Sequence, residues 1–253
     1  MESGPDNPWV IRRRPRPEAA LRLVCFPYAG GGASIYRTWH DALPGDVELL
    51  AIDLPGHESR FKERPFDRLA PLVAALTDAV APVVRPPFAI FGHSLGALVG
   101  FSFARELRRR SLAGPLHLFV SGRRAPQLRD PSPMHQLPDS EFLAGLRRLG
   151  GIPEAVMQDA ELMGVFLPVL RADFSVAETS QTADEPPLAC PISALGGTTD
   201  ERATTGELDA WRVHTSAAFE RVVFAGGHFF LQTERAELLA WLSARLGRIT
   251  AAP

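Results

Sequence analysis

The stretch that decides the fold is FGHSLGALVGF, residues 91–101, in which a serine stands between two glycines after an apolar run. Gly92, Ser94 and Gly96 match the pattern G-x-S-x-G, in which a sharp turn from strand to helix lifts a serine hydroxyl out of a sheet. The five-residue pattern alone arises readily by chance, so its surroundings decide its meaning. Here the apolar run PPFAIFG precedes the serine and the helix-like run ALVGFSFARELRRR follows it. The stretch therefore predicts a serine nucleophile on a strand–turn–helix unit.

Short apolar or alternating runs bounded by glycine or proline recur along the chain, which is typical of strands. Six strands are predicted, at Leu21–Phe26, Glu48–Ile52, Phe88–Phe91, His117–Ser121, Ile192–Leu195 and Arg221–Phe224. Helices are predicted between or after them, at Leu69–Val84, Leu95–Arg110, Gly206–Thr215 and Arg235–Leu246. Alternation of this kind predicts a single α/β domain over residues 1–253, with a mainly parallel sheet and helices on both of its faces.

The interval from Gly122 to Pro191 interrupts this alternation, because it is far longer than a normal connection between neighbouring strands. Apolar residues recur there at helical spacing in two places, from Phe142 to Leu149 and from Leu162 to Leu170. Ligands of open α/β sheets bind at the carboxyl ends of the strands. Two or three inserted helices are therefore predicted to form a lid over that edge. The alternative is that these apolar faces only complete the core.

The composition argues against several other classes of protein. The formal net charge is -2 and the clusters Arg12–Arg14 and Arg108–Arg110 are short, which gives no electrostatic case for nucleic acid. No apolar run approaches the roughly 20 residues of a membrane span, and residues 1–8 lack the apolar core of a signal peptide, so a cytoplasmic protein is expected. Cys25 and Cys190 lie in strand-like runs and are expected to be buried thiols, with no disulfide and no metal site.

A serine hydroxyl is a poor nucleophile until a base removes its proton, and in this architecture the chain order is serine, then an acidic residue, then histidine. His228 follows the strand-like run RVVFAGG in a glycine-rich loop and is the predicted base. His214 falls within a predicted helix and His135 in the proline-rich start of the insertion, so structural or exposed positions are expected for both. His93 is too near Ser94 in the turn to face its hydroxyl.

The orienting carboxylate is assigned to Asp200, which ends the segment ISALGGTTD just after a predicted strand. One helix and one strand separate it from His228, a spacing that places both residues at the same edge of the sheet as Ser94. Asp184, in a loop, and Asp209, in a helix, are the alternatives. A turn or capping role is the structural alternative for Asp200 itself.

A tetrahedral oxyanion needs two backbone donors, one from the residue after the nucleophile and one from the loop after an early strand. Leu95 supplies the first. The loop FPYAGGGAS follows the first predicted strand and supplies the second, with Ala29 preferred and Gly30 next. Its glycines fit neither G-x-G-x-x-G nor the P-loop, which argues against a phosphate cradle.

These segments closely resemble the type II, or editing, thioesterases that accompany modular polyketide and nonribosomal peptide synthases. The resemblance covers most of the chain and is carried by FPYAGGGASIYRTW (26–39), DLPGHESR (53–60), FGHSLGALVGF (91–101), LPVLRADF (167–174) and GGHFFL (226–231). Together they are highly specific, since the last two segments are not expected in a generic esterase. One departure is His57, where arginine or another polar residue is more usual, so no binding role is assigned to that loop.

The resemblance implies an α/β-hydrolase fold with a mobile helical lid over approximately residues 123–187. It also implies a catalytic triad of Ser94, Asp200 and His228, with an oxyanion hole of Leu95 and Ala29. The implied substrate is a short or aberrant acyl group in thioester linkage to the phosphopantetheine arm of an acyl or peptidyl carrier protein. Hydrolysis would free a stalled carrier, and no further cofactor is implied.

Two other functions remain open at this stage: a generic carboxylesterase or chain-terminating thioesterase, and a carrier-binding scaffold with an idle triad. Carrier proteins are usually acidic, so arginines near the entrance are expected to steer docking. The candidates are Arg123, Arg124, Arg147 and Arg148. Nothing in the sequence demands more than a monomer.

Overall fold

The computed structural model describes residues 7–251. One sheet in this part of the chain contains β1 (Val10–Ile11), β2 (Leu21–Phe26), β3 (Val47–Ile52), β4 (Phe88–His93), β5 (Leu118–Ser121), β6 (Ile192–Gly197) and β7 (Phe219–Phe224). The order across the sheet is β1-β3-β2-β4-β5-β6-β7. Strands β2 to β7 are parallel to their neighbours, and β1 is antiparallel to β3. The prediction of a mainly parallel sheet is confirmed.

Helices cover both faces of this sheet, as predicted. They are α1 (Leu69–Val80), α2 (Leu95–Arg109), α3 (Asp139–Leu149), α4 (Glu154–Gln158), α5 (Ala160–Glu178), α6 (Thr205–Asp209), α7 (Phe230–Thr233) and α8 (Arg235–Thr250). Short 3-10 turns occupy Ala33–Tyr36, Trp39–Asp41, Glu58–Arg60 and Ala210–His214. Apolar side chains of α1 and α2 belong to one core layer, and those of α8 belong to a second layer on the opposite face.

Strand β2 illustrates why both layers form. Val24 and Phe26 belong to the layer under α1 and α2, whereas Leu23 and Cys25 belong to the layer under α8. Successive side chains of a strand point to opposite faces, so a strand covered on both sides is apolar over its covered part, here from Leu23 to Phe26. The continuous apolar runs that predicted the strands are the sequence signature of this arrangement.

Three details of the predicted elements are wrong. The two-residue strand β1 was not predicted, because it is too short to show any alternation. The helix predicted over Leu69–Val84 ends at Val80, since Pro82 has no N–H with which to continue the hydrogen-bond ladder. The helix predicted over Gly206–Thr215 consists of α6 followed by a 3-10 turn, in which the indole of Trp211 is buried and donates to the Arg123 carbonyl at 2.8 Å.

The long insertion between β5 and β6 contains three helices, α3, α4 and α5, of which the short α4 was not located from the sequence. They share a small apolar core of their own, which includes Phe142, Leu146 and Met163. Helix α5 begins at a clear signal, because Asp159 accepts hydrogen bonds at 3.0 Å from the first free N–H groups of the helix. Its last turns bring Val176 into the main core, which attaches the insertion to the sheet.

Candidate active site

Ser94 lies at the turn between β4 and α2 in a conformation that side chains rarely adopt, with φ 53° and ψ −112°. Its two flanking glycines explain how the turn closes. A Cβ on Gly92 would lie 2.1 Å from the carbonyl oxygen of Gly96, and a Cβ on Gly96 would lie 2.1 Å from the carbonyl oxygen of Phe26. The backbone passes so close to both positions that only glycine fits there. The turn places the serine hydroxyl at the carboxyl edge of the sheet.

Ser94, His228 and Asp200 meet at this edge although the chain separates them widely. The His228 Nε2 atom lies 3.1 Å from the Ser94 Oγ atom. The His228 Nδ1 atom lies 3.1 and 3.0 Å from the two carboxylate oxygens of Asp200. His228 follows β7, and Asp200 follows β6 by three positions. The arrangement is that of a nucleophile, a base and a group that orients the base.

The surroundings of Asp200 keep it ionised. Burial favours its neutral form, but hydrogen bonding to His228, the charge of that ring and the backbone N–H of Arg202 lower the pKa of the carboxyl. The Arg202 N–H donates to Asp200 Oδ1 at 2.8 Å. A carboxylate fixed in this way holds the imidazole with Nδ1 as donor and leaves Nε2 to face the serine.

The alternative acids and bases lie in other environments. His135 contacts Glu178, with Nδ1 2.8 Å from Oε2, and the Nε2 of His214 lies 2.6 Å from the side chain of Gln127. The remaining candidates are exposed carboxylates, of which Asp209 pairs with Arg221 and Asp184 lies in the loop before β6. The structure brings none of them to Ser94.

His93 is buried beside the candidate base, with its ring centroid 5.1 Å from that of His228. Its Nδ1 atom hydrogen-bonds to the Ser121 hydroxyl at 2.8 Å rather than to Ser94. Burial, reinforced by the proximity of His228, lowers the pKa of His93 to about 3. The ring therefore stays neutral and places no second positive charge beside His228.

Two backbone amides are available where an oxyanion would form. Within residues 7–251, the N–H groups of Leu95 and Ala29 donate to no other protein group. Leu95 is the first residue of α2, and Ala29 lies in a turn that the Gly31 N–H closes onto the Tyr28 carbonyl at 2.9 Å. Gly30, the second choice from the sequence, is a wrong candidate, because its N–H is already bound to the Asp173 carboxylate at 2.7 Å.

An apolar cavity of about 620 Å³ opens beside Ser94 and extends under the insertion. Its apolar wall includes Leu149, Ile152, Val165, Phe166, Val169 and Leu170, all from the inserted helices or the loops between them. The insertion therefore lies over the cavity beside Ser94, and a substrate-facing role for its apolar residues stays a prediction. An acyl group can lie against this wall while its carbonyl carbon reaches the serine.

The four arginines proposed to steer a partner do not share one surface. Arg124 is buried, and its guanidinium donates to the carbonyls of Arg202 and Arg129, so a docking role for it is wrong. Arg123 lines the cavity and donates to the Ala177 carbonyl at 2.7 Å, and burial lowers its pKa to about 10. Arg147 and Arg148 are exposed on α3.

Sequence reasoning missed a second buried histidine–aspartate pair near the site. The His57 Nε2 atom lies 2.9 Å from Asp173 Oδ2, the same oxygen that accepts the Gly30 N–H. The available signal was an acidic residue beside the apolar residues Leu170 and Phe174 in the segment LPVLRADF. A carboxylate at such a position is buried only when it has partners.

Some features are not found in the described residues. No helix in 7–251 has the length and apolarity needed to cross a bilayer. The same part of the chain holds no group of three or more side chains suited to bind a metal ion, and its two cysteines are buried free thiols.

The fold and the site together define a hydrolase of the α/β-hydrolase fold with a serine, a histidine and an aspartate at the carboxyl edge of its sheet. A family model described as "Thioesterase domain" matches residues 21–246. The chain therefore belongs to the thioesterase domain family, and its activity is the hydrolysis of thioesters.

Individual similar proteins show which thioesterases this chain resembles in sequence and structure. The chain is 43% identical over 248 residues to the gramicidin S biosynthesis protein GrsT of Aneurinibacillus migulanus, a match that covers 98% of this chain and 96% of GrsT. It superposes with a TM-score of 0.85 on RedJ, a thioesterase from the prodiginine pathway of Streptomyces coelicolor, at 42% identity over 89% of this chain and 85% of RedJ. The type II thioesterase BorB from the borrelidin cluster gives a TM-score of 0.85 at 37% identity, over 94% of this chain and 98% of BorB. The predicted resemblance to type II thioesterases is confirmed.

Proposed function

We propose that this protein is an editing thioesterase that removes short or aberrant acyl groups from the phosphopantetheine arm of acyl or peptidyl carrier proteins. Ser94 is the nucleophile, His228 the general base and acid, and Asp200 the group that orients the imidazole. The observation that carries the proposal is the 3.1 Å contact between Ser94 Oγ and His228 Nε2 beside a lidded apolar cavity. No cofactor other than the arm of the carrier enters the reaction.

In the first half-reaction, His228 Nε2 takes the Ser94 proton as Oγ attacks the thioester carbonyl carbon. The developing oxyanion accepts hydrogen bonds from the backbone N–H groups of Leu95 and Ala29. The tetrahedral adduct collapses, the C–S bond breaks, and the thiol leaves with the proton that His228 carried. Ser94 then bears the acyl group as an ester.

In the second half-reaction, a water molecule gives a proton to His228 and attacks the acyl carbonyl carbon. Collapse of this second adduct breaks the bond to Ser94 Oγ, which recovers its proton from His228, and the free carboxylic acid departs. Thiols leave more readily than alcohols or amines, so the demand on His228 as an acid is modest. Selectivity therefore depends on the fit of the acyl group and on carrier docking.

Two findings support this substrate class. The cavity beside Ser94 is large enough for an acyl chain, and its apolar wall comes mainly from the lid. Relatives along nearly the whole chain include the gramicidin S biosynthesis protein GrsT and the thioesterase PikA5 of Streptomyces venezuelae. The carrier partner, a monomeric state and a cytoplasmic location remain predictions.

The test compares hydrolysis of three substrates by the wild-type protein and by Ser94→Ala. They are a propionyl-carrier protein, propionyl-pantetheine thioester and the p-nitrophenyl ester of propionic acid. The proposal expects a clear preference for the carrier-bound thioester that disappears in Ser94→Ala. Equal or faster turnover of the oxygen ester by the wild type would instead identify a generic carboxylesterase. If Ser94 of the wild-type protein does not react with a fluorophosphonate probe, which labels activated serines, the protein is a carrier-binding scaffold instead of an enzyme.

A further inference from the structure

One carboxylate oxygen joins three segments around the site. Asp173 Oδ2 accepts the Gly30 N–H at 2.7 Å and lies 2.9 Å from His57 Nε2. Gly30 belongs to the loop after β2, His57 to the loop after β3, and Asp173 to the lid helix α5. The Asp173 and His57 side chains are only 5% and 4% exposed, so water competes little for these bonds.

The geometry around His57 favours its charged form. Both ring nitrogens face oxygen atoms, since Nδ1 lies 3.2 Å from the Pro55 carbonyl oxygen and Nε2 faces Asp173. A neutral imidazole has only one N–H and would leave a lone pair against one of these oxygens. An imidazolium donates to both. Asp53, the residue after β3, also attracts a positive charge on His57.

The pKa of His57 agrees with this assignment. Burial alone would lower it, but the charge and hydrogen bond of Asp173, the Pro55 carbonyl and Asp53 prevail and raise the pKa to about 9. At neutral pH, the Asp173 side chain therefore lies against a buried cation. A charged acceptor forms a stronger and shorter hydrogen bond to a backbone N–H than a neutral one.

The turn that Asp173 holds is the one that carries the second oxyanion donor. Gly30 has φ 75° and follows Ala29, whose N–H has no acceptor among residues 7–251. The turn also packs tightly on α5, because a Cβ on Gly30 would lie 2.5 Å from Leu170, one helical turn before Asp173. The position of the Ala29 N–H thus depends on a bond made by the lid helix.

We propose that Asp173 is a positioning residue for the oxyanion hole, and that His57 fixes its carboxylate. Through this pair, the second half of α5 is a structural part of the reacting site as well as a cover for the cavity. The inference rests on the proposed function, because an oxyanion forms only if Ser94 attacks a carbonyl group.

The test measures kcat and KM for propionyl-pantetheine thioester, a substrate that needs no carrier docking. Inhibition by a short alkyl trifluoromethyl ketone is measured in parallel, since its adduct with Ser94 carries an oxyanion. Loss of one oxyanion donor costs roughly 10²- to 10³-fold in kcat, and a misplaced donor costs less. Asp173→Ala should therefore lower kcat by roughly 10- to 100-fold, change KM little, and weaken the inhibitor by a similar factor.

Asp173→Asn is the rescue variant. Its amide oxygen can take the place of Oδ2 and accept both bonds, so kcat should stay within about threefold of the wild type. Asp173→Glu keeps the charge beside His57 but moves the accepting oxygen, so its kcat should fall. If Asp173→Ala does not fold, the contrast between the asparagine and glutamate variants decides the question.

His135→Gln is the matched control, because His135 contacts the buried carboxylate of Glu178, also in α5, in a histidine–carboxylate pair outside the cavity wall. It should lower thermal stability without changing kcat or inhibitor affinity. The inference is overturned if folded Asp173→Ala keeps the wild-type kcat, or if Asp173→Asn loses as much as the alanine variant. If Ser94→Ala retains activity, the proposed function is wrong. If Ser94→Ala is inactive but the Asp173 variants behave like the wild type, only the role of Asp173 is wrong.

Discussion

At the scale of single residues, the turn that holds Ser94 can close only because the residues two positions before and after it, Gly92 and Gly96, have no side chains. A positive φ at a non-glycine residue costs on the order of 1 kcal/mol or more, and the surrounding structure must impose it. Strand β4, helix α2 and the end of β2 approach one another closely enough at this turn to do so. The serine hydroxyl is consequently held in one place before any substrate arrives.

Gly96→Ala tests this constraint. The added Cβ would lie 2.1 Å from the Phe26 carbonyl oxygen, a backbone atom that cannot move aside alone. We expect a loss of roughly 2 to 4 kcal/mol in the free energy of unfolding, measured by urea denaturation, together with loss of thioester hydrolysis. Gly247→Ala in α8 is the control, because a Cβ there meets nothing within 4 Å and should stabilise the helix by about 0.5 to 1 kcal/mol. A Gly96→Ala protein with wild-type stability would contradict the account.

At the scale of secondary-structure elements, α5 has two halves with different environments. Its first half is largely exposed, with Val165 62% and Phe166 44% accessible, and it forms part of the cavity wall. Its second half is buried and contacts the loop of the oxyanion hole through Asp173. Pro168 lies between the two halves and removes one hydrogen bond from the helix ladder.

Val169→Trp tests whether α5 limits the length of the acyl chain. Val169 lines the cavity, and an indole there would fill part of the volume that a long chain needs. We expect the ratio of kcat/KM for octanoyl- over propionyl-pantetheine to fall by roughly tenfold or more. Val213→Trp is the control, since Val213 is 64% exposed and lies outside the cavity wall. An unchanged ratio in Val169→Trp would place the acyl chain elsewhere.

The secondary-structure elements and the order of the site residues were largely predictable from the sequence, whereas some long-range contacts were not. The elbow, the six longer strands and the order Ser94, Asp200, His228 were predictable because each depends on a local pattern or on the rule that parallel strands end at one edge. The bond from Asp173 to Gly30 spans 143 positions and follows no periodicity. The burial of Arg124 could not be predicted either, because its guanidinium donates to the backbone carbonyls of Arg202 and Arg129, which only the fold brings to it.

At the scale of the whole molecule, the His57–Asp173 pair links folding to pH. The pKa of His57 is raised from 6.5 to about 9, so the folded state binds its proton more tightly than the unfolded chain. The stabilisation is complete below about pH 6.5, declines as the pH rises, and is lost above about pH 9. Its full size is on the order of 3 kcal/mol.

Urea denaturation of the wild-type protein and His57→Gln between pH 6 and pH 10 measures this linkage. Glutamine can fill much of the same space but cannot carry the charge. The wild type should be more stable at pH 6, and the difference between the two proteins should shrink steadily towards pH 9. A difference that is independent of pH would mean that His57 contributes through packing alone.

The charge of the molecule bears on how a carrier protein would find the cavity. A net charge of -2 gives no general attraction for an acidic partner, so steering must come from a local patch. Arg147 and Arg148 are exposed on α3, beside the cavity-lining residues Leu146 and Leu149. A Glu154 carboxylate lies 3.4 Å from Arg147, but an exposed pair of this kind neutralises little of the local field.

Reversing both charges with Arg147→Glu and Arg148→Glu should lower kcat/KM for an acyl-carrier protein by roughly tenfold at low ionic strength, because rim charges act mainly on the association rate. The same variant should hydrolyse acyl-pantetheine at the wild-type rate, since that substrate carries no acidic surface. Salt should reduce the difference, because the Debye length falls to about 8 Å at physiological ionic strength. The double variant Arg212→Glu and Arg248→Glu changes two exposed arginines outside the cavity wall and shifts the net charge by the same amount, so it is the control for a general change in charge. An equal effect of this control would show that net charge, rather than the lid, governs the encounter, whereas no effect of either double variant would mean that carriers dock through apolar contacts.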